Sequence, residues 1–272
     1  KMNNETNFLK IANNARQSII AMSGNGGCFL GASLSCVDII SYMYLNVLNV
    51  TKDNLNKLDR NYFFLSKGHD VPALYAVLAE LSIIDKKRLL NHLHTNDQIY
   101  WHPNRQIPGI EFHSGSLGHL LSVAIGVAYD CLHDDLLNTI YVLLGDGELN
   151  EGSIWEGVMV AASKNLNNLV AIVDRNYFQA NLRTEELTML EPLEEKFKAF
   201  GWNVLRINGH DYHDLDYAFS KLHNFNESPT VIIADTVRGK GLPSIENKAD
   251  RWFCNFSHEE IKSLLEELKG NQ

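Results

Sequence analysis

The chain is poor in several things. Only four of its 272 residues are cysteine (Cys28, Cys36, Cys131 and Cys254), and no two stand in CxxC spacing. That excludes a zinc knuckle or a CxxC redox pair and reads as free thiols in a reducing cytoplasm. No apolar run approaches the ~20 residues of a membrane span, and the first ten residues, KMNNETNFLK, lack a signal-peptide apolar stretch. Neither a membrane nor export is expected. Positive charge is also scarce. Lys and Arg number 24 against 33 Asp and Glu, a net −9 with no basic stripe, which excludes nucleic acid as the main partner. No repeat, low-complexity tract or dividing linker is visible, so residues 1–272 are expected to form a single domain. At 45% hydrophobic it has enough to bury a sizeable core.

What is present falls into two rhythms. Residues 1 to about 130 follow a period near 3.6, with Phe8, Ile11, Ala15 and Ile19 on one stripe. A helix is expected to start near Ser35, where SCVD places Asp38 three residues after a serine as in a capping box. NYFFLS (61–66) reads as a short strand, and VPALYAVLAELS as a helix with Pro72 in its first turn. LLSVAIGVAYDCL is apolar almost all round and reads as a buried helix. From residue 139 short β-branched runs take over: TIYVLL, LVAIVD, NVLRIN and TVIIADT. Without polar alternation, such runs suit parallel strands covered on both faces. Helices are expected between them at 154–164, 192–200 and 215–225, and Ser257 with Glu260 marks another helix start. The fold class is therefore α/β: a doubly wound, mostly parallel sheet over about 135–240, flanked by helices, with the helical part of about 1–130 packed on it.

YVLLGDGELNEG is the stretch with chemistry. Asp146 follows one predicted strand and Asn176 follows the next, 30 residues on, room for one crossover helix. A carboxylate and an amide oxygen at the same sheet edge suit a hard divalent ion, Mg²⁺ or Ca²⁺, completed by backbone, water and phosphate oxygens. Gly145 and Gly147 allow a tight turn and close approach of an anion to backbone N–H groups. The following helix is expected to direct its positive end at the site. A lone GDG is more often a simple turn, but here aspartate, asparagine, spacing and strand context agree.

GDGELNEGSIWEGVMVAASKNLNNLVAIVDRN resembles the thiamine-diphosphate motif of transketolases. LSKGHDVPALYAVLAE, HPNRQIPGIEFHSGSLGHLLSVAIGVA and DTVRGKG resemble further blocks of that family, so the likeness runs from about residue 15 to 255. It implies a thiamine-diphosphate-binding fold and two-carbon (ketol or acyl) transfer. Asp146, Asn176 and the carbonyl of Phe178 would hold the metal. Gly145, Gly147 and Glu148 would border the diphosphate, with Lys240 as nearby positive charge. Gly115, Ser116 and Leu117 would surround the cofactor's rings. His69 and His102 would line the channel as proton-exchanging groups, and Glu151 would join a carboxylate network between subunits. His119 would lie near the cofactor. His92 and His94, an HxH without a third ligand, are assigned nothing and read as helix surface.

The likeness covers the family's first domain, which implies the N-terminal subunit of a split enzyme. Its partner would be a C-terminal, pyrimidine-domain subunit, in an α₂β₂ assembly. Two alternatives share the motif: the α subunit of a 2-oxo acid decarboxylase or dehydrogenase, and a non-catalytic cofactor-binding partner. The SKGH and PGIEFHSGSLG blocks favour transketolase over the first, and the intact GDGE…DRN argues against the second. Two family histidines are missing. GGCFLGASLS offers Phe29 (or Cys28, one register away) for one, and DRWF offers Phe253 for the other. Phenyl rings in place of hydrogen-bonding imidazoles imply a non-standard donor or acceptor.

Overall fold

The computed structural model describes residues 4–224 and 227–271. The chain opens with helices α1 (Asn4–Met22) and α2 (Leu30–Tyr42), then strand β1 (Tyr62–Leu65) and helices α3 (Val71–Glu80) and α4 (Leu120–His133). β2 (Ile140–Gly145), α5 (Gly152–Ser163) and β3 (Leu169–Arg175) follow. A two-strand ribbon comes next, β4 (Phe178–Gln179) and β5 (Leu182–Arg183), with the short helices α6 (Thr184–Leu187) and α7 (Leu193–Ala199). β6 (Asn203–Asn208), α8 (Tyr212–Lys221), β7 (Thr230–Asp235) and α9 (His258–Gly270) complete the order.

Five strands form one parallel sheet, in the order β1-β2-β3-β7-β6. The apolar runs are continuous because helices cover both faces, and the period of two divides each strand between two cores. Tyr141, Leu143, Val170, Ile172 and Ile232 pack with α1, α2, α3, α8 and α9. Val142, Leu144, Ala171, Val173 and Ile233 pack with α4, α5 and α7. The helical N-terminal part is thus divided: α1 to α3 lie on one face and α4 on the other, while β1 from within it supplies an edge of the sheet.

Phe8, Ile11, Ala15 and Ile19 are all buried, α3 carries a proline in its first turn, and Ser257 and Glu260 form a complete capping box. The predicted strands and interleaved helices are all found, with the helices' ends shifted by up to a few residues; Phe225, the predicted end of α8, lies outside the described residues. Three expectations are corrected. α2 begins at Leu30, with Phe29 at its N-cap and no side-chain cap. Ser35 and Asp38 are instead spent on distant partners: Ser35 Oγ donates to Asp174 at 2.6 Å, and Asp38 pairs with Arg16 and His210. α4 is not buried all round, since Ser122, Gly126 and Tyr129 face water beside Met159 and Val160 of α5. His92 is fully buried, with Nε2 3.2 Å from the Gly27 carbonyl, and is no surface residue. Of the described helices, only the segment Leu30–Val47 is long and apolar enough to cross a membrane, and 83% of it is buried in the fold.

Candidate active site

The carboxyl edge of the sheet gathers the motif. Register pairs Gly145 with Asp174 and Arg175 with Asp235, so the chain leaves β2, β3 and β7 side by side. Asp146 therefore meets the segment after β3: Tyr177 N donates to its Oδ2 at 2.6 Å and Arg175 at 3.0 Å. Gly147 N donates to its other oxygen at 2.8 Å. Burial pushes the Asp146 carboxyl up to about 6, against the pull of Arg175. Asn176 is held by its amide: Nδ2 donates to Asp174 at 3.1 Å and to Ser35 at 3.3 Å. Its Oδ1 is thereby turned the other way, accepting one bond, from Phe178 N at 3.0 Å.

Neither glycine of GDG has a positive φ, so the turn does not require them for conformation. Gly147 is required by space, because a Cβ there would stand 2.9 Å from Gln179 Cβ. The element that starts at Asp146 is a 3₁₀ turn, Gly147–Asn150, and α5 begins only at Gly152. The expected helix end is thus set back from the site by one turn.

A cavity of about 210 Å³ opens over this edge. Asp146, Asn176, Phe178, Gly145, Gly147 and Glu148 line it, together with His69 and Leu117. Gly115 stands beside it under His102: its φ is +135°, and a Cβ would come 2.4 Å from the His102 ring. Burial lowers the pKa of both His69 and His102, so both imidazoles are neutral at pH 7. Ser116 and His119 are exposed, bonded to one another at 3.2 Å. Glu151 is exposed at the start of α5, and Lys240 is absent from the cavity wall. The cations on the wall are Lys67 and Arg238; Arg238 is 1% exposed over the Phe178 ring, with Nη1 donating to the Ala180 carbonyl at 2.5 Å and Nε lacking a hydrogen-bond partner among the described residues.

Three functional positions, Lys67, Asp174 and Arg238, had escaped the sequence reading, and a fourth, Glu148, does more than border the cavity. Glu148 acts through its side chain, accepting from Ser66 (2.5 Å), Gly118 N (2.9 Å) and Gly145 N (3.1 Å), which ties three loops together. Lys67 is buried between Asp70, at 2.8 Å, and Asp174. Asp174 also accepts from Thr236 and so holds the amide of Asn176. The signal for this pair was available: a lysine in SKGHD and an acid ending an apolar strand are both costly to bury alone. Arg238 was equally visible, three residues past β7. Phe29 and Phe253 were singled out and do meet, ring centroids 5.3 Å apart. Cys28 instead forms a backbone bridge with Cys254, which leaves Phe29 as the residue on the site side.

Residues 11–271 match the transketolase, thiamine diphosphate binding domain. The chain belongs to the transketolase family. It is 37% identical over 223 residues to one subunit of the apulose-4-phosphate transketolase of Phocaeicola vulgatus, covering 82% of this chain and 79% of that one. It is 35% identical over 241 residues to a 6-deoxy-6-sulfo-D-fructose transketolase subunit of Clostridium sp., covering 88% of each. The solved transketolase of Campylobacter jejuni superposes with a TM-score of 0.84 at 28% identity, covering 96% of this chain but 43% of that one. This transketolase-family chain thus spans under half of the solved transketolase and most of the length of the subunits.

Proposed function

We propose that the chain is the diphosphate-binding subunit of a two-chain, thiamine-diphosphate-dependent enzyme that transfers two-carbon units. The observation that carries this reading is the meeting of Asp146 and Asn176 at neighbouring strand ends, in a cavity walled by an arginine whose Nε has no hydrogen-bond partner among the described residues. The donor set fits the group. Among the described residues no three His, Cys, Asp or Glu cluster as a metal site, so amide, carbonyl and ligand oxygens would complete a sphere begun by Asp146. Asp146 Oδ, Asn176 Oδ1 and the Phe178 carbonyl supply three hard oxygens for Mg²⁺ or Ca²⁺. The desolvated Arg238 guanidinium and the N–H groups of the turn after Asp146 suit a diphosphate.

When bound, the cofactor supplies a carbanion-stabilising centre for breaking and making the bond beside a ketone. The chain's own residues would do the rest. Gly115 and Leu117 border the rings, with Ser116 beside them. His69 and His102, kept neutral, accept or donate protons at substrate hydroxyls. Glu151, exposed at the start of α5, would meet another subunit. The relatives named as separate transketolase subunits support a distinct partner chain, which would carry the pyrimidine domain in an α₂β₂ assembly.

The test is calorimetric titration of thiamine diphosphate with Mg²⁺ into the chain together with its partner. Asp146→Ala should weaken binding at least tenfold. Unchanged binding by that variant would refute the site assignment.

A further inference from the structure

Above the polar floor the cavity changes character. His69 and Trp252 both line it, with ring centroids 6.0 Å apart. Behind them Phe29 contacts three rings at once: Trp252 at 4.9 Å, His69 at 5.2 Å and Phe253 at 5.3 Å. Trp101 closes the row, 6.1 Å from Phe253. Phe29–Trp252 is tilted at 54°, and the other pairs are edge-to-face, a favoured geometry for aromatic packing. Nor can the wall easily give way, since the Phe253 ring lies so close to Gly27 that a Cβ there would approach it to 2.5 Å. Phe253 is still 39% exposed, so the row reaches solvent.

Among the described residues, the imidazoles beside this row are His69 and His102, both neutral, and His69 is already engaged by Phe29 and Trp252. A hydroxyl set against phenyl rings loses its water without gaining a partner, whereas a methyl loses nothing. In a two-carbon transfer the transferred unit stays in the cavity through both halves of the reaction, while the fragments on either side come and go. The group most persistently facing this wall is therefore the end carbon of that unit.

Resting on the function proposed above, we infer that the Phe29–Trp252–Phe253 wall selects a donor whose two-carbon unit ends in a methyl rather than a hydroxymethyl group. The donor is then a 1-deoxyketose and the unit moved is acetyl. In R–CHOH–CO–CH₃ the bond between carbonyl and carbinol carbons breaks, and R–CHO departs. The acetyl carbon bonds to the acceptor aldehyde, giving R′–CHOH–CO–CH₃. The carbinol proton lost by the donor is matched by the one the new hydroxyl gains, and no oxidant or reductant is needed. A wall of this kind discriminates by about 10- to 100-fold, because apolar surroundings reject an added hydroxyl only moderately.

The experiment uses the complete complex with thiamine diphosphate and Mg²⁺. Two probes differ by a single oxygen, 1-deoxy-D-xylulose 5-phosphate and D-xylulose 5-phosphate. Binding is read from the fluorescence of the wall tryptophans, and cleavage from release of glyceraldehyde 3-phosphate. The deoxy donor should bind and react at least tenfold better. Phe253→His and Phe29→His should shift the ratio toward the hydroxylated donor, and Phe29→Leu should preserve it. Phe253→His, at a part-exposed position, keeps the test valid if Phe29→His does not fold. Equal or reversed preference, or binding of neither probe to a complex that holds the cofactor, overturns this inference alone. Failure of thiamine diphosphate to protect the complex against thermal unfolding overturns the proposed function with it.

Discussion

Glu148 offers the most direct test of how the site is held. Its buried carboxylate receives the Ser66 hydroxyl and the amides of Gly118 and Gly145, and so joins the ends of β1 and β2 to the loop carrying Gly115 and Leu117. In Glu148→Ala all three donors lose their acceptor, at about 1–3 kcal/mol each when left buried. Burial raises the pKa of this carboxyl, so its removal also relieves a desolvation cost that offsets part of that loss. With that offset, a loss of about 2–6 kcal/mol is expected. Glu148→Gln keeps the shape but sets an NH₂ group against at least one donor, and should cost about 1–2 kcal/mol. Urea unfolding followed by circular dichroism gives the global value. Amide exchange gives the local one, with Gly118 and Gly145 losing protection beyond the global change. An alanine variant within 0.5 kcal/mol of wild type, or unchanged exchange at both glycines, would refute the tether.

Gly115→Ala must accept both a φ of +135° and a Cβ driven into His102, so a loss of about 1–3 kcal/mol is expected, with weaker cofactor binding. A thermal scan with and without thiamine diphosphate checks both. Arg16→Met leaves the buried Asp38 carboxylate, paired with Arg16 at 2.5 Å in the native fold, with His210 alone, and should cost about 3 kcal/mol in urea. Asp38 also gives a pH dependence. Burial pushes its carboxyl up, but Arg16 and His210 outweigh burial and leave it below the ordinary value. A depressed carboxyl contributes stability above its unfolded pKa of about 4, lost as pH falls through the folded value. Acid unfolding of Asp38→Asn should therefore be flatter below pH 4 than that of wild type.

Most of the sheet was legible because each strand is buried on both faces, which leaves an unbroken run such as LVAIVD. The Asp146–Asn176 pairing was legible for the same reason, since neighbouring parallel strands end at one edge. What misled was polarity read locally. Ser35 and Asp38 look like a cap only while Asp174, Arg16 and His210, their partners in space, are out of view. Lys240 and Arg238 cannot be ranked by type, since both are cations in one short block. The exit path from β7 decides, and it puts Arg238 over Phe178. Phe29 and Phe253 lie at opposite ends of the chain, and their union depends on the Cys28–Cys254 backbone bridge, which no periodicity announces.

The outward sides of α4 and α5 carry large apolar side chains. Tyr129, Met159 and Val160 stand there 44–51% exposed on two adjacent helices. Anything that covers such a surface binds the folded chain and not the unfolded one, and stabilises it by mass action, about 2.7 kcal/mol at a hundredfold excess over the dissociation constant. Were the covering surface that of a second copy, the melting temperature of the purified chain would rise with its concentration. Scans at two protein concentrations belong beside every variant comparison above.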